Sequence, residues 1–331
     1  MKLHHPNRIL WMLAIGLVIV FALSLLVGRY PQPGIALPWD LVEDKIAIRL
    51  LLNLRLPRLL VGVLLGAALS AAGAAFQMLF TNPLVEPGFL GVTQGASFGA
   101  AMAIIFMGNV AWLVQGSAVV FAMAGLLLSY LLARKVRFGG WVLRLVLAGI
   151  AVSAFFSSGV GILKYLADPL RQLPEITFWL LGGLWSVEWK DLLTILPLVL
   201  IGLYVLFRMR WRLNLLSLED EVAFSLGTTP QRERALVLVA GVAAVAAVIS
   251  VSGMVSWVGL LVPHLARRIF GADGRYILPA SMLIGASFTI ICDDFGRTLL
   301  AGEIPLGILT SLLGAMAFMF LMMARRIKVQ R

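Results

Sequence analysis

What most limits the shape of this chain is the stretch 55–99, where the run from Leu59 to Phe80 contains no charged residue. About 20 apolar residues reach across a bilayer as a helix, and in lipid only helices and closed barrels satisfy their own backbone. The run opens on Arg55 and Arg58, which bracket a Leu-Pro pair, and breaks at Asn82-Pro83. It turns through Glu86-Pro87-Gly88 and resumes with Gly91, Gly95 and Gly99. Glycines four apart leave a bare ribbon on one helix face, along which another helix can approach closely. The repeating unit is therefore two membrane crossings joined by a proline-shaped turn, with cations at one mouth.

The rest of the chain follows that pattern. Of 331 residues, 61% are hydrophobic and only 13% charged, against about 25% charged in soluble domains. The fold class is an all-α integral membrane protein. A net charge of +11 could suggest nucleic acid, but cytoplasmic loops of membrane proteins collect Lys and Arg, and no nucleic-acid partner is expected. Cys292 is the single cysteine, which excludes an internal disulfide framework and zinc-finger spacing. The basic start at 1–8 leads into an apolar run at 9–27 that is too long for a signal peptide, so it reads as a retained first helix.

Apolar runs bounded by charge, proline or polar clusters place helices near 9–28, 57–80, 91–107, 112–133, 142–165, 192–207, 234–251, 255–269, 277–296 and 304–324. The stretch 235–262 is too long for one crossing; Gly253 with Ser250, Ser252 and Ser256 divides it, and Pro263 falls inside the next helix. Ten crossings put both termini on one side. The segments 1–8, 81–90, 134–144, 208–234, 267–275 and 325–331 hold about two-thirds of the 27 basic residues, which assigns that side to the cytoplasm. Arg55, Arg58, Arg171 and Arg297 then face outward, against the bias. The outer connection 29–56 carries Pro31, Pro33 and Pro38 and reads as extended. The connection 166–191, with Trp179, Trp185 and Trp189, reads as a short interfacial helix. The cytoplasmic segment 213–234 is polar and acidic at Glu219-Asp220-Glu221 and closes on Gly227 and Pro230, so it reads as a folded element outside the lipid.

RLPR at 55–58, NPLVEPGFLGVTQGA at 82–96, LSLEDEVAFSLG at 216–227, GMVSWVGLLVPHLAR at 253–267 and GEIPLGILTSLLGAMAF at 302–318 resemble, in order and along the whole chain, the FecCD family of ATP-binding-cassette (ABC) importer permeases. Members of that family import iron–siderophore complexes, haem and vitamin B12. The resemblance implies one permease domain over 1–331, the type II importer fold with an inverted repeat, and a homodimer in the bacterial inner membrane. It also implies two ABC ATPase subunits on the cytoplasmic face and a periplasmic or lipid-anchored binding protein above. The chain itself would hold no cofactor or metal, ATP and Mg belonging to the partner ATPase. Iron–siderophore leads as cargo, with vitamin B12, haem and a molybdate-type oxyanion as alternatives.

The resemblance assigns Arg55, Arg58 and Arg297 to docking of carboxylates on the binding protein, since a guanidinium pairs bidentately with a carboxylate and charge fixes register. Snorkelling, or pairing with Asp293 and Asp294, is the plainer reading. It assigns Leu216, Leu218, Ala223, Phe224, Leu226 and Gly227, with Glu219 and Glu221 at the rim, to coupling with the ATPase. Asn82, Leu84, Val142 and Leu143 take the gate positions, although Val142 and Leu143 are apolar where relatives carry small polar residues. Gly149, Ser153, Ser157 and Gly161 form a small, mildly polar stripe on the fifth helix, which serves either close packing or a pathway wall. His264 reads as structural, and Glu86 and Glu303 as helix caps.

The chain has no G-x-x-x-x-G-K-[ST] loop to cradle phosphates and no H-E-x-x-H, so it is not expected to be an enzyme. A secondary transporter is the competing class, but it would need an ionisable residue near mid-membrane, and the helix centres here are nearly uncharged.

Overall fold

The computed structural model describes residues 5–30, 34–35, 44–108, 110–300 and 302–323. Pro31, Pro33, Pro38, residues 1–4 and the basic tail 325–331 lie outside the described residues. The chain begins with α1 (Pro6–Leu26), followed by a short antiparallel hairpin of β1 (Val27–Gly28) and β2 (Gly34–Ile35). Helix α2 (Lys45–Leu50) passes through a π turn at Leu51–Arg55 into α3 (Leu56–Leu79). A 3₁₀ turn at Pro87–Leu90 then precedes α4 (Val92–Phe106), α5 (Ala111–Lys135) and α6 (Trp141–Leu166). The short helix α7 (Gln172–Leu181) leads to α8 (Trp189–Met209), α9 (Arg212–Leu216) and α10 (Asp220–Ser225). The chain closes with α11 (Pro230–Ser252), α12 (Val258–Phe270), α13 (Gly274–Thr298) and α14 (Leu306–Met323).

Local chemistry explains where these helices start. Pro57 and Pro230 occupy the first turns of α3 and α11, where a missing N–H costs nothing. Asp44 and Asp273 cap α2 and α13 by accepting the N–H of Ile46 and Arg275. Glu188 and Asp191 form a reciprocal capping box on α8. The expected interfacial helix is α7, followed by Trp185 and Trp189, and the Trp189 indole donates to the Leu52 carbonyl at 2.9 Å.

A helix forms near each of the ten expected positions, and among the described residues eight spans are long and apolar enough to cross a membrane: 6–26, the continuous 45–79, 111–135, 141–166, 189–209, 230–252, 274–298 and 306–323. Helices α4, with 15 residues, and α12, with 13, are shorter than a full crossing. Each of the two follows a break in the left-handed backbone region, at Gly91 (φ 78°) and Trp257 (φ 72°). The division expected at Gly253 is present: α11 stops at Ser252, and 253–257 runs non-helically into α12.

Helices α3 and α11 form the centre of the molecule. In their apolar windows 83% and 72% of residues are buried, against 6% for α1 at the rim. Packing around them is exchanged between the two halves: α13 and α12 lie on α3 as α5 and α4 lie on α11. Likewise α12 packs on α13 and α14 as α4 packs on α5 and α6. This exchange of partners is the pattern of an inverted repeat of α3–α6 and α11–α14. Close approach depends on missing side chains. A Cβ on Gly66 would lie 2.1 Å from the Gly285 carbonyl oxygen, and one on Gly73 would lie 1.9 Å from that of Gly259. The expected ribbon is used in the same way, with Gly95 and Gly99 against the backbone of α5.

Candidate functional site

Arg55, Arg58 and Arg297 converge on one cleft of about 240 Å³, together with Arg29, Tyr30, Trp185 and Glu303. Arg58 lies in the first turn of α3 and forks onto Asp293 of α13, with Nε–Oδ2 at 2.9 Å and Nη2–Oδ1 at 2.8 Å. Its other side reaches Glu303 at 3.0 Å. Arg297 pairs with Asp294 and donates to the Ser24 carbonyl at 2.6 Å, while the Ser24 hydroxyl also donates to Asp294. Arg55 donates to the carbonyls of Leu25 (3.0 Å) and Tyr30 (2.7 Å). Arg58 and Arg297 thus pair with the carboxylates of Asp293, Glu303 and Asp294, and with Arg55 the network ties the end of α1 to α3 and α13. Arg55 and Arg297 are buried and bonded within the chain, and the Arg58–Glu303 pair is the more exposed edge of the network. Glu303 is an ion-pair partner here, not the helix cap expected of it.

Between the turn before α4 and the turn before α12 lies a second cavity of about 290 Å³, lined by Glu86, Thr93, Gln94, Ser153, Met254 and Ser256 among others. Glu86 makes no side-chain cap on its own turn. Its carboxylate instead accepts the backbone N–H of Trp257, which joins the two breaks across the repeat. The stripe on α6 divides by depth. Gly149 is buried, and its Cβ would meet the Phe89 carbonyl at 2.3 Å. Ser153 lines the cavity, and Ser157 and Gly161 are exposed. Gly149 is therefore a packing residue, because four-residue steps drift around a 3.6-residue helix. At the turn after α3 Asn82 and Leu84 are exposed, with Asn82 Oδ1 accepting the Leu84 N–H at 2.9 Å. Leu143 is exposed too, whereas Val142 is half-buried against the core. His264 packs edge-on to Phe318 at 6.1 Å, a structural contact.

The element between α8 and α11, expected to be cytoplasmic, is pinned by two arginine pairs. Arg234, itself buried, donates to the Leu216 carbonyl at 3.1 Å and pairs with Asp220 at 2.6 Å. Arg212 pairs with Glu233, which also accepts the Thr229 N–H at 3.1 Å. Leu216 and Ala223 are fully buried within the chain, so they anchor the element and are not part of a surface offered to a partner. Leu218, Val222, Phe224 and Leu226 project into solvent, with Phe224 69% exposed. Glu219, Glu221 and Gly227 are exposed around them, and Gly227 (φ 82°) makes the turn back toward α11.

A model of the FecCD transport family matches residues 16–324. The chain belongs to this family. This FecCD permease is 38% identical over 319 residues to the molybdate import system permease protein MolB of Haemophilus influenzae, a match covering 94% of each chain. It is 35% identical to the hemin transport system permease protein HmuU of Yersinia pestis, over 95% of this chain and 96% of that one. A solved structure described as an inward-facing conformation of a metal-chelate type ABC transporter matches with TM-score 0.88 and 37% identity, covering 95% of this chain and 98% of that one. The FecCD chain is thus a multi-pass transport permease of the ABC importer type.

Sequence reading of the FecCD permease passed over three features. Val222 belongs with Phe224 and Leu226, and its signal was an apolar residue after three acids in an otherwise polar loop. Arg234 and Asp220 form a clamp across 14 positions, which spacing does not reveal. The Glu86–Trp257 contact joins the halves of the repeat and has no local signature.

Proposed function

We propose that this permease works as a homodimer in the bacterial inner membrane, with both termini cytoplasmic, and imports an iron chelate using work from two ABC ATPase subunits. The observation that carries the reading is the apolar row Leu218, Val222, Phe224 and Leu226, held rigidly on the cytoplasmic face by Arg234. Exposed apolar side chains on a clamped element outside the lipid call for a protein partner, and a rigid lever is what a permease needs to receive mechanical work. ATP and Mg would sit on that ATPase, with no cofactor on this chain. On the outer face a binding protein would dock over the arginine cleft, its carboxylates meeting Arg58 in competition with Glu303. All ten helices would enter the membrane, α4 and α12 as the two short ones. The α6 faces bearing Ser153, Ser157 and Gly161 would line the path between subunits, with Asn82, Leu84, Val142 and Leu143 at its cytoplasmic end.

Molybdate is the second reading, supported by the 38% identity to MolB over 94% of both chains. Proteoliposomes holding the permease, its ATPase and its binding protein decide between them. The proposal expects ATP-dependent uptake of radiolabelled ferric chelate, unaffected by an uncoupler. Uptake of labelled molybdate alone would establish the second reading, and uphill transport by the permease without ATPase would overturn both.

A further inference from the structure

Beyond the transport path, one feature of the membrane-facing surface is unexplained. Helices α5 and α11 flank a groove of about 530 Å³, lined by Val120, Met123 and Leu127 on α5 and by Val239 on α11. Val120, Leu127 and Val239 are exposed. From Val120 to Tyr130 the groove covers ten residues, about 15 Å at the α-helical rise, which is about half of a 30 Å hydrocarbon core. Its length matches one leaflet.

At Tyr130, Ala235 and Leu238 the groove runs into a second cavity of about 490 Å³ with different chemistry. The groups that line this end are Arg134, Arg144, Arg234, Gln231, Trp141 and Asp220. Three guanidiniums face one carboxylate, and Asp220 is already paired with Arg234. The Nε of Arg144 and the Nε of Arg234 are buried and have no hydrogen-bond partner. The Arg144 Nη1 donates only a long bond to the Val136 carbonyl, at 3.3 Å. Trp141 stacks beneath the Arg234 guanidinium at 5.1 Å. Buried cationic donors left open are costly unless an anion completes them, and basic pockets at the cytoplasmic ends of helices are suited to acidic headgroups.

We infer that the α5–α11 groove and the arginine pocket at its end form one binding site for an anionic phospholipid. One acyl chain lies along the groove in the cytoplasmic leaflet, and the headgroup phosphate meets Arg134, Arg144 and Arg234. A free phosphate would satisfy the arginines but would leave the groove empty, so the joined cavities favour the lipid. Through Asp220 and Arg234 the bound headgroup touches the element proposed to receive the ATPase. The site goes beyond the transport reading and can be tested without substrate, ATPase or binding protein.

The experiment titrates the delipidated full-length permease in detergent, followed by native mass spectrometry. The probes are phosphatidylglycerol, phosphatidylcholine with the same acyl chains, and inorganic phosphate. Phosphatidylglycerol should be retained about tenfold or more above phosphatidylcholine. The double variant Arg134→Gln, Arg144→Gln should erase that preference, while Arg134→Lys, Arg144→Lys should keep most of it, which separates lost charge from lost fold. Ala124→Phe, which fills the groove and leaves the charges alone, should weaken both lipids. Equal retention of the two lipids, or unchanged preference in the glutamine variant, would overturn the proposal. So would displacement of phosphatidylglycerol by millimolar phosphate together with no effect of Ala124→Phe, the signature of an anion site alone.

Discussion

The Arg58–Asp293 fork shows how one residue can hold two distant elements together. Asp293 is 3% exposed on its side chain and its principal partner is Arg58. Removing one member of a buried pair leaves the other charge uncompensated, at a cost of about 3–5 kcal/mol. Arg58→Gln should therefore lower the thermal unfolding midpoint in detergent sharply, and the double variant Arg58→Gln, Asp293→Asn should recover part of the loss. No recovery would mean that Arg58 acts through Glu303 alone. Asp273 is a milder case that depends on pH. Burial alone would raise its carboxyl, but hydrogen bonds from Arg275 and Asn214 outweigh burial and hold it below the usual carboxylate range. Its contribution is then complete above the unfolded value near pH 4 and fades as pH falls through the depressed folded value. Asp273→Ala should cost about 1 kcal/mol at neutral pH as a lost helix cap, and the gap from wild type should close in acid. A gap that persists in acid would argue against the charge. Arg55 and Arg297 were legible as unusual outward cations; that each is occupied by a backbone carbonyl was not, because those carbonyls lie about 25 to 270 positions away.

At the scale of elements, the unit between α8 and α11 separates anchoring from presentation. Leu213, Leu216 and Ala223 hold it from inside, and Phe224 and Leu226 stand outside. Phe224→Ser with Leu226→Ser should abolish co-purification with the ATPase while changing permease stability by no more than about 0.5 kcal/mol, as for other exposed substitutions. An intact complex would remove these side chains from the coupling role. The helix crossings respond in the opposite way. Gly66→Ala places a methyl against the Gly285 backbone at the α3–α13 contact, and overpacking of that kind costs about 1–3 kcal/mol or more, read as loss of thermal stability with ATPase affinity unchanged. The small-residue pattern made such contacts legible in sequence. Which glycine meets which did not follow, since small-residue spacing says that a helix is approached but not by what.

For the whole molecule, the proposed placement of partners on opposite faces depends on the orientation of the chain in the membrane. Cys292 is buried, so introduced cysteines report topology without background from an accessible native thiol. Leu84→Cys should react with a membrane-impermeant maleimide only from the cytoplasmic side, and Leu170→Cys only from outside; both are exposed positions. Labelling of both from one side would break the assigned orientation and the placement of ATPase and binding protein with it.

By itself the sequence determined the membrane class, helices at ten positions, the break at Gly253 and the family, because all of these rest on local signals: uncharged length, periodicity, turn residues and contiguous motifs. Only the tertiary structure decided which members of those motifs face outward. Leu216 and Phe224 read alike along the chain, yet Arg234 draws the carbonyl of one inward and leaves the ring of the other in solvent. The same holds for Glu86, whose partner at Trp257 exists only once the two halves of the repeat have closed on each other. Burial and pairing are properties of elements brought together, and no short stretch of residues records them.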